Sequence, residues 1–120
     1  MNKWKQQGKT IAGGNGKGDQ LNQVINPEGI FIDKKNNILI GDWRNDRIMT
    51  WKLNEKAGEI AAGGNGQGNR IDQLKWPTDV IVDEENNSLI IADFGNRRVV
   101  RWWNTNQQEK FLLRISDVEI

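Results

Sequence analysis

Aspartate, asparagine and arginine recur in the same order at two places, as Asp42, Asn45 and Arg47 and again as Asp93, Asn96 and Arg98. A carboxylate set beside a guanidinium could bind a charged ligand or poise a proton. Appearing twice, the set reads better as a duty inside a repeating unit, in which Asp and Asn satisfy backbone groups in a turn and Arg pairs with Asp. The chain has no histidine and no cysteine. That excludes imidazole bases, His-dependent zinc sites, disulfides and thiol chemistry, and leaves any catalysis to Asp, Glu, Lys or Ser. Asp33 and Asp83 read as turn residues, since Asp33-Lys34-Lys35-Asn36 lacks the alternating oxygen ligands of a calcium loop. No catalytic residue, metal ligand or cofactor is nominated.

Two glycine loops, Gly13 to Gly18 and Gly63 to Gly68, could turn backbone N–H groups toward an anion. Neither carries the Lys-Ser/Thr ending and following helix of a phosphate loop. A sharp exit from one strand and return to the next is the simpler reading. Six tryptophans are many for this length, and their placement differs. Trp51 and Trp102 are equivalent and suit packing. Trp43, its counterpart Phe94, and Trp76, which stands where the first copy has Asn26, fall in connections. Aromatics there are common anchors of binding surfaces, although packing between units also accounts for them. Arg97, Arg98 and Arg101 form the densest basic group near aromatics, with Arg98 assigned to the structural set and Arg97 and Arg101 left as candidates for contact with a ligand such as RNA.

The elements that must hold these residues come from an internal repeat. The copies align at a spacing of 50 from Gly13/Gly63 to Asn37/Asn87, Ser88 is read as an insertion, and the spacing is 51 from there to Trp51/Trp102. In the first copy, Gly29–Asp33 and Ile38–Gly41 are short apolar runs joined through Asn36-Asn37, a hairpin. Arg47–Lys52 and Glu59–Ala62 supply a third and a fourth strand. The second copy repeats them as Asp79–Asp83, Leu89–Ala92, Arg98–Trp102 and Glu109–Ile115. Helical periodicity is absent. Trp4 to Ala12 reads as the end of a third strand plus a fourth, because Thr10-Ile11-Ala12-Gly13-Gly14 matches the approach to the second glycine loop. The expected divisions are therefore 1–12 as the end of a preceding unit, 13–62 and 63–115 as two repeats, and 116–120 as a tail.

Four short strands on a period near fifty predict an all-β architecture of propeller blades. The order of features also resembles the NHL repeat: Pro27 to Asp33 and Pro77 to Asp83, an apolar strand ending in Asp, then Asn-x-Arg before an alternating strand. The resemblance spans roughly residues 11 to 103. Asp79, where the first copy has Gly29, departs from the pattern, and Arg44 against Gly95 shows that the connection varies.

The resemblance implies a non-catalytic scaffold that presents loops to a protein partner. Candidates are the residues that differ between copies or interrupt the pattern: Glu28, Trp43, Arg44, Thr78, Asp79 and Phe94, with Arg97 and Arg101. Single-stranded RNA binding is the alternative that NHL propellers suggest, against which the net charge of +1 speaks. A lyase or lactonase of similar fold is a weaker alternative without histidine. No apolar run is long enough for a membrane span or a signal peptide, so a cytoplasmic location is expected. About two and a half blades do not close a ring, which requires further blades from a longer chain or from self-assembly.

Overall fold

The computed structural model describes residues 3–104. Strands β1 (Pro27–Ile32), β2 (Asn37–Asp42), β3 (Arg47–Lys52) and β4 (Glu59–Gly63) form one antiparallel sheet in chain order, and β5 (Pro77–Asp83), β6 (Ser88–Asp93) and β7 (Arg98–Trp103) form a second. The first strand of each sheet opens on a proline, where a missing N–H costs the ladder nothing. The expected all-β architecture is present. Among the described residues the sheets do not close into a ring, and the strand expected at Glu109–Ile115 lies outside them.

Both hairpins are built on an aspartate. Asp33 Oδ1 accepts the N–H groups of Lys35 and Asn37 at 2.9 and 2.8 Å, and Oδ2 accepts Asn37 Nδ2 at 3.0 Å. Asn36 takes the left-handed conformation at φ 65°, as does Asn87 at φ 52° in the second hairpin. Asn37 lies opposite Lys52, and Ser88 lies opposite Trp103 in the same strand position. The extra residue of the second copy therefore sits in the turn, not at Ser88. A turn can lengthen without disturbing register, whereas an insertion within the strand would flip its faces.

Strand alternation divides the first sheet into two apolar faces. Ile38, Ile40, Met49 and Trp51 form one, covered by Ala12 and Val24 from the chain before β1. Leu39, Ile48 and Ala62 lie on the other and share a core with Leu74, Val80 and Ile91 of the second unit, flanked by Phe31, Val82, Leu89, Val100 and Trp102. The front of the second sheet thus stacks on the back of the first. Close approach shows in the backbone: a Cβ built on Gly29 (φ 65°) would lie 2.6 Å from the Thr78 carbonyl oxygen and 2.7 Å from Asp79 Cα. The departure at Asp79 follows from the same stacking. Gly29 is pressed by the next unit, whereas Asp79 is exposed.

Trp4 to Ala12 does not form the strands expected of it. The pattern was strand-like, but a strand needs a ladder, and no neighbouring strand among the described residues lies beside this segment. The polar connection expected at Asp42 to Asp46 contains a single turn of 3-10 helix, Trp43–Asn45, echoed by Phe94–Asn96.

For Asp33, burial alone would raise the pKa, but hydrogen bonds from the Asn37 side chain and from the Asn37 and Lys35 N–H groups outweigh it and hold the carboxyl below its ordinary value. Asp83 is lowered chiefly by the Asn86 side chain and then by Arg101. A carboxylate more acidic when folded stabilises the fold above its unfolded pKa and loses that contribution as pH falls through the folded one. Stability should therefore decline below about pH 4. Asp33→Asn combined with Asp83→Asn should flatten that decline in chemical denaturation followed by circular dichroism, and an unchanged pH slope would count against the assignment.

Candidate functional site

The repeated Asp-Asn-Arg sets are loop clamps. Asp42 is fully buried; Oδ1 accepts the Ile25 N–H at 2.7 Å, and Oδ2 accepts Asn45 Nδ2 at 2.9 Å and Arg47 Nε at 2.7 Å. Asn45 Nδ2 also donates to the Gly18 carbonyl at 2.9 Å. Arg47 spreads its remaining donors over the carbonyls of Asp19, Gln20 and Gln23 at 2.8, 3.0 and 3.0 Å. One carboxylate and one guanidinium thereby fix the loop that leads into β1. The second copy repeats every contact: Asp93 with Lys75 N–H, Asn96 and Arg98, Asn96 with Gly68, and Arg98 with Asn69, Arg70 and Gln73. The expected Arg to Asp pairing is formed in both, at 2.7 and 2.8 Å.

Inside the glycine loops two further side chains do similar work. Gln23 Nε2 donates to the Asn15 and Lys17 carbonyls at 3.0 and 3.2 Å, and Asn15 Nδ2 reaches the Asn22 carbonyl at 2.8 Å. Gln73 and Asn65 repeat the Gln to Asn carbonyl contact and the Asn reach across the loop. A Cβ on Gly18 would fall 2.1 Å from Gln23 Oε1, and one on Gly68 2.0 Å from Gln73 Oε1. These loops spend their glycines on seating a glutamine. Gln23/Gln73 and Asn15/Asn65 recur at the repeat spacing, a signal that the sequence reading passed over.

The pairing of Pro27 with Asp42 and of Pro77 with Asp93 brings the strand starts and the Trp43–Asn45 and Phe94–Asn96 turns to one end of the sheets. On that rim Trp43 stacks on Trp76 with ring centroids 5.6 Å apart and planes at 25°. The Arg44 guanidinium lies 5.7 Å from the Trp43 ring, and Lys75 Nζ lies 4.8 Å from the Trp76 ring. Trp76 reaches this position in a left-handed backbone at φ 53°, unusual for a bulky residue before proline. Its N–H is held at 3.0 Å by Asp46 Oδ1, across the unit boundary. Lys75 gains its path because Gly95, where the first copy has Arg44, leaves room: a Cβ there would meet the Lys75 stem at 2.5 Å.

Of the candidates read from the sequence, Trp43, Arg44, Glu28, Thr78 and Phe94 belong to this end, with Glu28 and Phe94 exposed. Asp79 lies exposed on β5, with Oδ1 accepting the Val80 N–H at 2.9 Å. Arg97 is exposed at φ 55°, in the position that Asp46 fills in the first unit. Arg101 does not join it. Nη1 lies 2.8 Å from Asp83 Oδ2 and 2.9 Å from Ser88 Oγ, and the guanidinium stacks 5.3 Å from the Trp103 ring, toward the hairpin end. Asp83, on the first strand of the same sheet, and Ser88 hold Arg101 toward the hairpin end, so Arg97 and Arg101 do not form a single patch. Lys75 and Asp46 were missed; both differ from their counterparts, Ile25 and Arg97. Comparison with family models and with curated proteins gives no match for this chain.

The two clamps differ in exposure, with the Arg47 side chain 4% and the Arg98 side chain 31% accessible. Removing the partner of a buried charge costs about 3–5 kcal/mol, and water softens the loss where the charge can reach it. Asp42→Ala should therefore destabilise the protein more than Asp93→Ala in urea denaturation. Equal costs, or the reverse order, would show that burial of the arginine does not set the strength of the clamp.

Proposed function

We propose that the chain is a non-catalytic binding module, two blades of an NHL-like β-propeller, that captures a protein partner on the strand-end rim. The Trp43–Trp76 stack with Arg44 and Lys75 against its rings carries the reading. Large aromatics flanked by cations at a surface suit a peptide offering apolar and acidic side chains. The clamps support it from the other side, because the carboxylate oxygens of Asp42 and Asp93 are already engaged by backbone, Asn and Arg donors.

A cation-flanked indole pair also suits a nucleic-acid base, which keeps single-stranded RNA as the second reading. A random peptide library displayed on phage, selected on the wild type, and an oligouridine titrated by fluorescence anisotropy at several salt concentrations would separate the two. Enrichment of acidic, apolar-bearing peptides is expected, with Trp43→Ala weakening them by about tenfold, a loss of about 1.4 kcal/mol. Peptides indifferent to Trp43→Ala would overturn the proposal. Oligouridine binding with a steep salt slope would replace it with the RNA reading.

A further inference from the structure

The two indoles of the rim come from different units, Trp43 from the turn after β2 and Trp76 from the end of the loop leading into β5, and one residue is bonded to both. Asp46 donates its N–H to the Trp43 carbonyl at 3.4 Å, which closes the turn that carries Trp43, and its Oδ1 accepts the Trp76 N–H at 3.0 Å. Its carbonyl accepts the Gly64 N–H at 3.2 Å, in the glycine loop that follows β4. With 9% of its surface accessible, Asp46 sits inside this junction.

The repeat separates the bonds that the fold requires from those it does not. Arg97 fills the same position in the second unit, in the same left-handed backbone (φ 55° against 54°), and its N–H closes its turn on the Phe94 carbonyl at 3.0 Å. The turn therefore needs no carboxylate. An arginine side chain carries donors only, so Arg97 has nothing with which to accept an N–H as Asp46 does. Trp76 departs from its counterpart in the complementary way. The backbone there is left-handed immediately before proline; Asn26 (φ 51°) meets that demand with a side chain that tolerates it, whereas an indole at φ 53° is strained. Such strain persists only where the surroundings hold it, and it gathers at functional sites. An acid that its turn does not need and an indole ill-suited to its backbone meet in one hydrogen bond.

We propose, on the reading of this rim as a binding surface, that Asp46 is its positioning residue: the carboxylate holds Trp76 in place against Trp43, so that the indole pair is formed before a partner arrives. A preformed pair spares the partner the cost of ordering two large side chains. Because the bond spans the junction, the surface exists only while the second unit is docked on the first, and a partner that grips both indoles also holds the junction closed.

Two substitutions isolate the acceptor. Asp46→Gly removes it and keeps the left-handed backbone without strain, whereas Asp46→Asn keeps an acceptor oxygen on a side chain that tolerates that backbone. Stacked indoles couple their electronic transitions, so the difference in circular dichroism between the wild type and Trp43→Ala gives the couplet of the pair. Asp46→Gly should lose this couplet and bind the acidic peptides enriched on phage about tenfold more weakly in fluorescence anisotropy, while Asp46→Asn should retain both. Ile91→Val, which thins the shared core within β6, should lower the urea midpoint yet keep the couplet, which separates loss of one acceptor from general loosening. A couplet that survives in Asp46→Gly, or that is also lost in Asp46→Asn or Ile91→Val, would overturn the proposal. A couplet lost in Asp46→Gly with peptide affinity unchanged would instead overturn the rim as the binding surface and leave Asp46 as the residue that fixes the indoles.

Discussion

Neither sheet can be stable alone, because each is apolar on both sides. Water must be kept from Ile38, Ile40, Met49 and Trp51 on one face of the first sheet and from Leu39, Ile48 and Ala62 on the other. The first demand is met by Ala12 and Val24, the second by Leu74, Val80 and Ile91 of the second unit. Burying a large aliphatic side chain contributes about 1.5–3 kcal/mol, so the shared core makes the two units one structure instead of two hairpins on a string. Stacking also dictates local sequence. Gly29 has backbone pressed against it, Gly63 has Leu74 against it, and Trp76 accepts a left-handed conformation that Asp46 holds from across the boundary.

The clamps serve that stacking. Leu74 and Val24 sit in the loops leading into β5 and β1, and those loops have no regular secondary structure to fix them. Carboxylate-arginine pairs at 2.7 and 2.8 Å, an asparagine beside each, and a seated glutamine bond the loop carbonyls and N–H groups, so that the apolar residue is delivered to the core in one place. Variation then falls on side chains that the clamps do not use, since Ile25 and Lys75, Asp19 and Asn69, and Gln20 and Arg70 are all held through their backbone groups. On the rim these are the sites of Trp43, Arg44, Lys75 and Trp76, where cations and indoles of neighbouring units meet.

Much of this was legible in the sequence because it is local or repeated. Alternation and the asparagine turns marked the strands and hairpins, and duplication separated Asp42, Asn45 and Arg47 from ligand chemistry. What was not legible depends on contacts between distant parts. Thr10 to Ala12 has the pattern of a strand but no ladder to join. Asp46 and Lys75 gain meaning only when the second unit is placed on the first, and Arg101 reads as a free cation in the sequence because Asp83, on the first strand of its own sheet, is far from it along the chain. Counting the residues of the hairpin turns would have placed the extra residue correctly, since strand register tolerates an insertion only there.

If the shared core binds the sheets into one cooperative unit, they must open together. Native-state hydrogen exchange on the wild type and on Leu74→Ala tests this most directly, because Leu74 belongs to the second unit yet lies in the core that it shares with Leu39 and Ile48. The amides of β2, β3, β5 and β6 should exchange with a common highest free energy, and Leu74→Ala should lower all of them by the same amount. Loss of protection confined to β5 and β6, with β2 and β3 unchanged, would contradict it.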